Sequence, residues 1–157
     1  MNRPRLVADA MLGTISKKLR MFGFDCTYYN TIPDDDLVLA AKKENRIIIT
    51  RDSKLATNAI QHDITTIKLE THTEKEQLVE IAHKIGWKKF ELAYSRCSLC
   101  NCTLEEIEKI TIQDKIPPRI AESVEKFWQC QQCNHVYWVG THIRNLEKLL
   151  AEINDNI

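Results

Sequence analysis

The chain predicts an α/β fold: a parallel sheet flanked by helices, then a four-cysteine ribbon and a C-terminal helix. Three observations carry this. Short apolar runs alternate with amphipathic stretches through the first half, the run Ile47-Ile48-Ile49 is continuously β-branched as a strand buried on both faces is, and two Cys-x-x-Cys pairs follow in the second half. Of 157 residues, 22 are Lys or Arg and 22 Asp or Glu, with 43% apolar, which excludes disordered and fibrous classes. No apolar stretch is long enough for a membrane span or a secretory signal, so a cytoplasmic location is expected.

The elements follow in order. Leu6-Val7-Ala8 reads as a strand ending on Asp9, and an amphipathic helix runs from about Gly13 to Phe22, closed by Gly23 as a C′ glycine. A weak strand at 26–29 precedes Pro33-Asp34-Asp35-Asp36, which opens a helix through Lys43. The strand at 46–50 leads to a helix from Asp52 or Ser53, then a strand at 64–67 and a helix over 73–85 before Gly86. After Trp87 the pattern changes to short strands at 107–113 and 136–139, a Pro117-Pro118 turn, and a final helix with Thr141 as N-cap. Its stripe of Ile143, Leu146, Leu150 and Ile153 is expected to pack on a neighbouring element. The division is into a core over 1–92 and a ribbon with the C-terminal helix over 93–157, with a snug junction near 88–96.

Cys97-x-x-Cys100 and Cys130-x-x-Cys133 have the spacing of two zinc knuckles. With no signal-like stretch read at the N-terminus, the thiols are expected to belong to a reducing compartment, where they serve metals more often than disulfides. Four thiolates leave no open coordination position, so the Zn²⁺ is expected to be structural. Cys102 lies outside the matched pairs, Cys26 reads as a small buried residue, and His135 as exposed.

Open parallel sheets do their chemistry beyond the carboxyl ends of the strands. Asp9 and Asp52 follow two such ends, and Asp34, three residues before Leu37, is expected to face inward with Leu37, Ala40 and Ala41. Converging carboxylates suit Mg²⁺ or Mn²⁺. Asp34 and Asp52 also read as helix caps, whereas Asp9 has no helix clearly begun beside it. Glycine-rich phosphate loops, a Gly-x-Ser-x-Gly elbow and histidine metal spacing are absent. Residues 1–96 hold 16 basic and 13 acidic side chains, residues 97–157 hold 6 and 9, so a polyanion is expected on the N-terminal part.

The segments Leu-Val-Ala-Asp-Ala-Met-Leu-Gly (6–13), Asp-Asp-Asp-Leu (34–37), Ile-Ile-Ile-Thr-Arg-Asp (47–52), Arg-Cys-Ser-Leu-Cys-Asn (96–101) and Phe-Trp-Gln-Cys-Gln-Gln-Cys (127–133) resemble the Mut-seven-type C-terminal RNase domain family. The resemblance covers nearly the whole chain. It implies a PIN-like nuclease fold with a zinc ribbon, and a metal-dependent ribonuclease whose acids fall on Asp9, Asp34, Asp35 and Asp52, with Thr50 and Arg51 flanking the last.

The resulting expectation is an endoribonuclease that cleaves RNA, single-stranded, with Mg²⁺ or Mn²⁺ at the acids. Lys17, Lys18 and Arg20 would steer phosphates, and Arg51 would contact one. The acidic ribbon would brace the fold or dock a protein partner. The competing reading is a non-catalytic RNA- or protein-binding module with a PIN-like platform, favoured by the modest basic charge and opposed by the acids at all three expected places.

Overall fold

The structure, a computed structural model, describes residues 2–157. Strands β1 (Leu6–Ala8), β2 (Cys26–Tyr28), β3 (Ile47–Thr50) and β4 (Thr66–Lys68) form one sheet in the order β2-β1-β3-β4, every pair parallel. Helices α1 (Gly13–Met21), α2 (Asp34–Glu44), α3 (Ser53–Gln61) and α4 (Glu74–Ile85) follow the strands in turn. Strand side chains alternate between the two faces. Leu6, Ala8, Ile49 and Ile67 pack with α1 and α4, while Val7 and Ile48 pack with α2 and α3. The chain order reverses between β1 and β3, which makes the ends of those two strands the switch point of the sheet.

Helix ends obey local chemistry. Thr73 and Glu76 form a capping box at the start of α4, and Gly86 closes it in the left-handed region. Gly23 has φ +87° after α1, and a Cβ there would lie 2.7 Å from that of Ala93, so the close approach of the 88–96 junction requires glycine. That junction is snug: Ala93 N–H donates to Met21 O at 3.0 Å and Phe90 stacks on Phe22. The expected strand at 64–67 forms later, at Thr66–Lys68, because Ile64 still terminates α3: its N–H donates to Ala59 O at 3.0 Å after Asp63 takes φ 59°.

The second half holds a three-stranded antiparallel sheet of β5 (Leu104–Ile107), β6 (Phe127–Cys130) and β7 (Val136–Tyr137). The expected strand at 107–113 is instead mostly helical: α5 (Lys109–Ile112) runs into a 3₁₀ turn at Gln113–Lys115. The backbone turns at once after β5, with the Thr111 N–H and hydroxyl both donating to Glu108 O at 3.0 and 2.7 Å, and Ile112 and Ile116 bury together against Phe127. Helix α6 (Pro118–Ser123) starts on a proline whose missing N–H costs nothing at the first helical position.

Helix α7 (Thr141–Asn154) is capped by Gly140, so Thr141 is its first residue and not its cap. Its buried stripe of Ile143, Leu146, Leu150 and Ile153 is the expected one, and the last three join the core beside α1 and α4. Asn154 fastens its end to both backbone groups of Phe90, each at 2.9 Å. The C-terminal helix therefore completes the layer over one face of the parallel sheet.

Candidate active site and metal centre

At the switch point, the Asp9 N–H continues the β1–β3 ladder by donating to Ile49 O at 3.1 Å. The Asp9 side chain is buried, 6% exposed, and accepts from Met11 N–H at 2.9 Å through Oδ1 and from the Thr50 hydroxyl through Oδ2. A helix does begin beside it: Asp9 caps the 3₁₀ turn Ala10–Leu12, against the expectation from sequence.

Asp52 lies on the neighbouring strand end. Its Oδ1 accepts from Lys54 N–H at 2.7 Å and Leu55 N–H at 3.2 Å, which makes it the N-cap of α3. The Asp52 N–H donates to Thr50 Oγ1 at 2.9 Å. Thr50, fully buried, is thus wired to both acids through one hydroxyl.

The α2 acids behave differently from expectation. Asp34 is exposed, because burial of α2 begins one turn later, with Leu37, Val38 and Ala41. Asp35 reaches across to α3 and accepts from Asn58 Nδ2 at 2.8 Å. Asp35 and Asp52 are therefore both fastened to α3. Among the described residues no three carboxylates bring ligand atoms within 4.8 Å of one another, and the one group of side chains that does so is made of cysteines.

The basic residues divide by burial. Arg20 is turned inward, 5% exposed, donating to Cys26 O at 2.7 Å, Ser98 O at 2.9 Å and Leu99 O at 3.1 Å. It ties the first knuckle to β2 and is not presented to a phosphate, which corrects the sequence expectation. Lys18 pairs with Glu74 at 2.5 Å, whereas Lys17 is exposed. Arg51 Nη2 lies 2.6 Å from His72 Nδ1 in a cleft of about 220 Å³ that Met11 and Thr14 also line.

Cys97, Cys100, Cys130 and Cys133 gather their sulfur atoms within 4.8 Å of one another. Four thiols at this separation match the donor set of tetrahedral Zn²⁺ and could hold that ion. Both knuckles turn in the same way: Asn101 (φ 69°) and Asn134 (φ 61°) each follow the second cysteine in the left-handed region, which asparagine tolerates. Burial pushes the Cys130 thiol up, but the N–H groups of Cys133 and Gln132, each 3.4 Å from its sulfur, together with the thiols of Cys100 and Cys133 bring it down to about 7, while burial and the same shared hydrogen bonds raise Cys100. Cys102 stands outside the group with its sulfur on Gln132 Oε1 at 2.9 Å, and Cys26 is buried, both as expected.

Three residues around this centre escape the sequence reading. Tyr137 brings its hydroxyl to 3.1 Å from Cys97 Sγ and accepts the Ser98 N–H at 3.1 Å. Asn101 accepts the Cys26 N–H at 3.0 Å, closing the open edge of β2, and donates to Asp25 at 2.8 Å. Burial raises the Asp25 carboxyl, yet hydrogen bonds from Arg46 and Asn101 and the charges of Arg46 and Arg96 bring it down to about 2. Their signal, an Asn directly after the second cysteine of each pair and a Tyr one residue past Val136, carries meaning only once the knuckle geometry is known.

The chain thus combines a doubly wound α/β sheet, with acids at its switch point, and a four-cysteine ribbon. The Mut7-C RNAse domain family model matches residues 4–150, and the chain belongs to that family. No curated protein matches it. Family membership points to a nuclease-type function with RNA as the substrate class. Among the described residues no helix is long and apolar enough to cross a membrane.

Proposed function

We propose that the protein is a Mg²⁺- or Mn²⁺-dependent endoribonuclease acting on single-stranded RNA. The observation that supports this most is the pairing of Asp9 and Asp52 at the switch point through the Thr50 hydroxyl. A side chain at that place meets substrate in open α/β sheets. Each Asp9 oxygen takes one hydrogen bond and a carboxylate oxygen has a second lone pair, so the group stays available to a cation while its orientation is fixed. Asp52 uses only Oδ1 in its cap. Asp9 and Asp52 would hold the divalent ion, which would supply acidified water and charge neutralisation at the scissile phosphate. Asp34 and Asp35 of α2 would have to swing toward them on binding, since no three carboxylates stand within ligand distance of one another among the described residues. Arg51, positioned by His72, would bind a flanking phosphate, with Lys17 on the exposed face of α1.

The Zn²⁺ of the four cysteines is structural in this reading, because Arg20 and Asn101 use the first knuckle to seal β2 and no ligand position is left for substrate. The deciding experiment is cleavage of generic single-stranded RNA by zinc-loaded protein with and without Mn²⁺, beside Asp9→Asn and Asp52→Asn. Mn²⁺-dependent product from the parent and none from either variant is expected. No turnover by the folded parent returns the non-catalytic binding module instead, and equal turnover by all three removes Asp9 and Asp52 from the reaction.

A further inference from the structure

Resting on the ribonuclease reading above, we propose that single-stranded RNA reaches the acidic edge along a groove built jointly by α1, the zinc ribbon and the first turn of α7. Two cavities of about 500 and 400 Å³ meet there, sharing Met21, Ser98 and His142 in their walls. The larger also shares Thr14 with the Arg51–His72 cleft. The three depressions therefore run on from β7, across α1, to the turn that Asp9 caps.

The chemistry of this path suits a polyanion with flat bases. Although 22 of 157 residues are acidic, no Asp or Glu lines either of the two cavities, and the one acid lining the third depression, Glu74, is paired with Lys18. Their ionisable walls are Lys17, Lys18, His135, His142 and the Tyr137 phenol. Lys18 leans toward Glu74, so the exposed Lys17 is the cation a phosphate meets first, with the exposed His142 imidazole beside the same groove as a hydrogen-bonding group. Helix α7 adds the positive end of its dipole, since it starts on Gly140 with no side-chain cap and no acid in its first turn.

Trp138 gives the groove an aromatic wall. Its indole is half-buried, and Gly140 lets it lie close to the backbone: a Cβ there would stand 3.1 Å from the indole nitrogen. Base stacking on such a ring tolerates any sequence. Trp138 rests against Phe127, with ring centroids 6.2 Å apart, while Trp87 packs against Phe24 and Trp128 stacks on Tyr94 at 4.2 Å, neither of them lining the groove. Charge on the ribbon as a whole is negative, yet its acids at 105–125 line neither cavity. The ribbon is thus more than a brace: one of its edges forms part of the substrate path.

The test uses full-length, zinc-loaded protein and a fluorescein-labelled oligouridylate of about 12 nucleotides, without added divalent ion. Lys17→Glu with His142→Glu should weaken binding at least tenfold and flatten the slope of log affinity against log salt by about 0.7 per lost phosphate contact. Lys17→Ala with His142→Ala should do the same more mildly, and unchanged zinc content and circular dichroism certify the fold. Trp138→Phe should abolish the RNA-induced quenching of tryptophan fluorescence. Lys115→Glu with Lys126→Glu, on exposed positions outside both cavities, should bind within twofold of the parent. The groove is overturned, with the ribonuclease reading intact, if its variants bind like the parent while Arg51→Ala binds tenfold more weakly. It is also overturned if the Lys115 and Lys126 changes weaken binding equally, or if polyglutamate competes as well as RNA does. A folded parent with no RNA affinity overturns both.

Discussion

Thr50 donates its hydroxyl hydrogen to Asp9 and accepts the N–H of Asp52 at 2.9 Å, so one buried side chain fixes the acids of two adjacent strand ends. Thr50→Val keeps the β-branched shape of the strand and removes only this link. Losing it leaves the Asp52 N–H without its partner, at a cost of about 1–3 kcal/mol. We expect that loss in chemical denaturation together with a fall of at least tenfold in Mn²⁺-dependent cleavage, and recovery of both in Thr50→Ser. Wild-type cleavage by a stably folded Thr50→Val would show that the link orders nothing the reaction uses.

Asp52 has two roles that one substitution separates. As N-cap of α3 it is replaceable by serine, which caps about equally well, whereas alanine costs about 1 kcal/mol. Asp52→Ser should therefore melt within a degree or two of the parent while losing Mn²⁺-dependent cleavage, and Asp52→Ala should lose both. Activity surviving in Asp52→Ser would reduce Asp52 to a cap.

Arg20 belongs to stability and not to RNA. Its guanidinium makes three hydrogen bonds to carbonyls of β2 and the first knuckle in a buried setting, each such charged bond being worth about 1.5–3 kcal/mol. Arg20→Ala should lower the unfolding free energy by about 3 kcal/mol and speed zinc loss to a colorimetric chelator. The salt slope of RNA binding should stay unchanged, in contrast to Lys17→Ala.

That contrast shows what the sequence could reveal. The alternation of apolar runs and amphipathic helices specifies the parallel sheet because each strand must be apolar on both faces, as Val7 and Ile48 on one side and Leu6 and Ile49 on the other are. Two matched Cys-x-x-Cys pairs likewise specify a cluster from spacing alone. Arg20 was illegible because its neighbours in sequence, Lys17 and Lys18, suggest a solvated face, and only the docking of Ser98 and Leu99 turns it inward. The β-branched residues of the 107–113 segment suit a strand, but Thr111 closes back on Glu108 O through both its N–H and its hydroxyl, and the chain turns into a helix there. The path of Asp34 depended on where α2 begins to be covered, a tertiary fact that no local periodicity holds.

Cys130→Ser should remove zinc and not merely weaken it. The four sulfurs form a closed set, and metal binding energy is folding energy in such ribbons. Elemental analysis should find one Zn²⁺ per chain in the parent and a marked deficit in the variant, with accelerated proteolysis within β5–β7. Full zinc content in Cys130→Ser would remove this cysteine from the ligand set.

Asp25 should make the fold acid-sensitive in a defined window. It pairs with Arg46 at 2.7 Å and Arg5 at 3.3 Å and receives Asn101 at 2.8 Å, so it links the N-terminal strand, β3 and the first knuckle. Its carboxyl titrates at about 2 in the fold against an ordinary 3.8. A lowered folded-state value means that ionisation stabilises the fold: the contribution is full above about pH 4 and is lost as the pH falls toward 2. After allowance for solvent screening of a partly exposed site, the expected size is about 1–2 kcal/mol. Comparing the parent with Asp25→Asn isolates this contribution from acid release of the metal, which both proteins share. The stability difference between them, measured by urea denaturation, should be constant from pH 7 to about 5 and shrink between about 4 and 2. A difference that does not change over that range would mean that the arginines around Asp25 respond to its shape and hydrogen bonding and not to its charge.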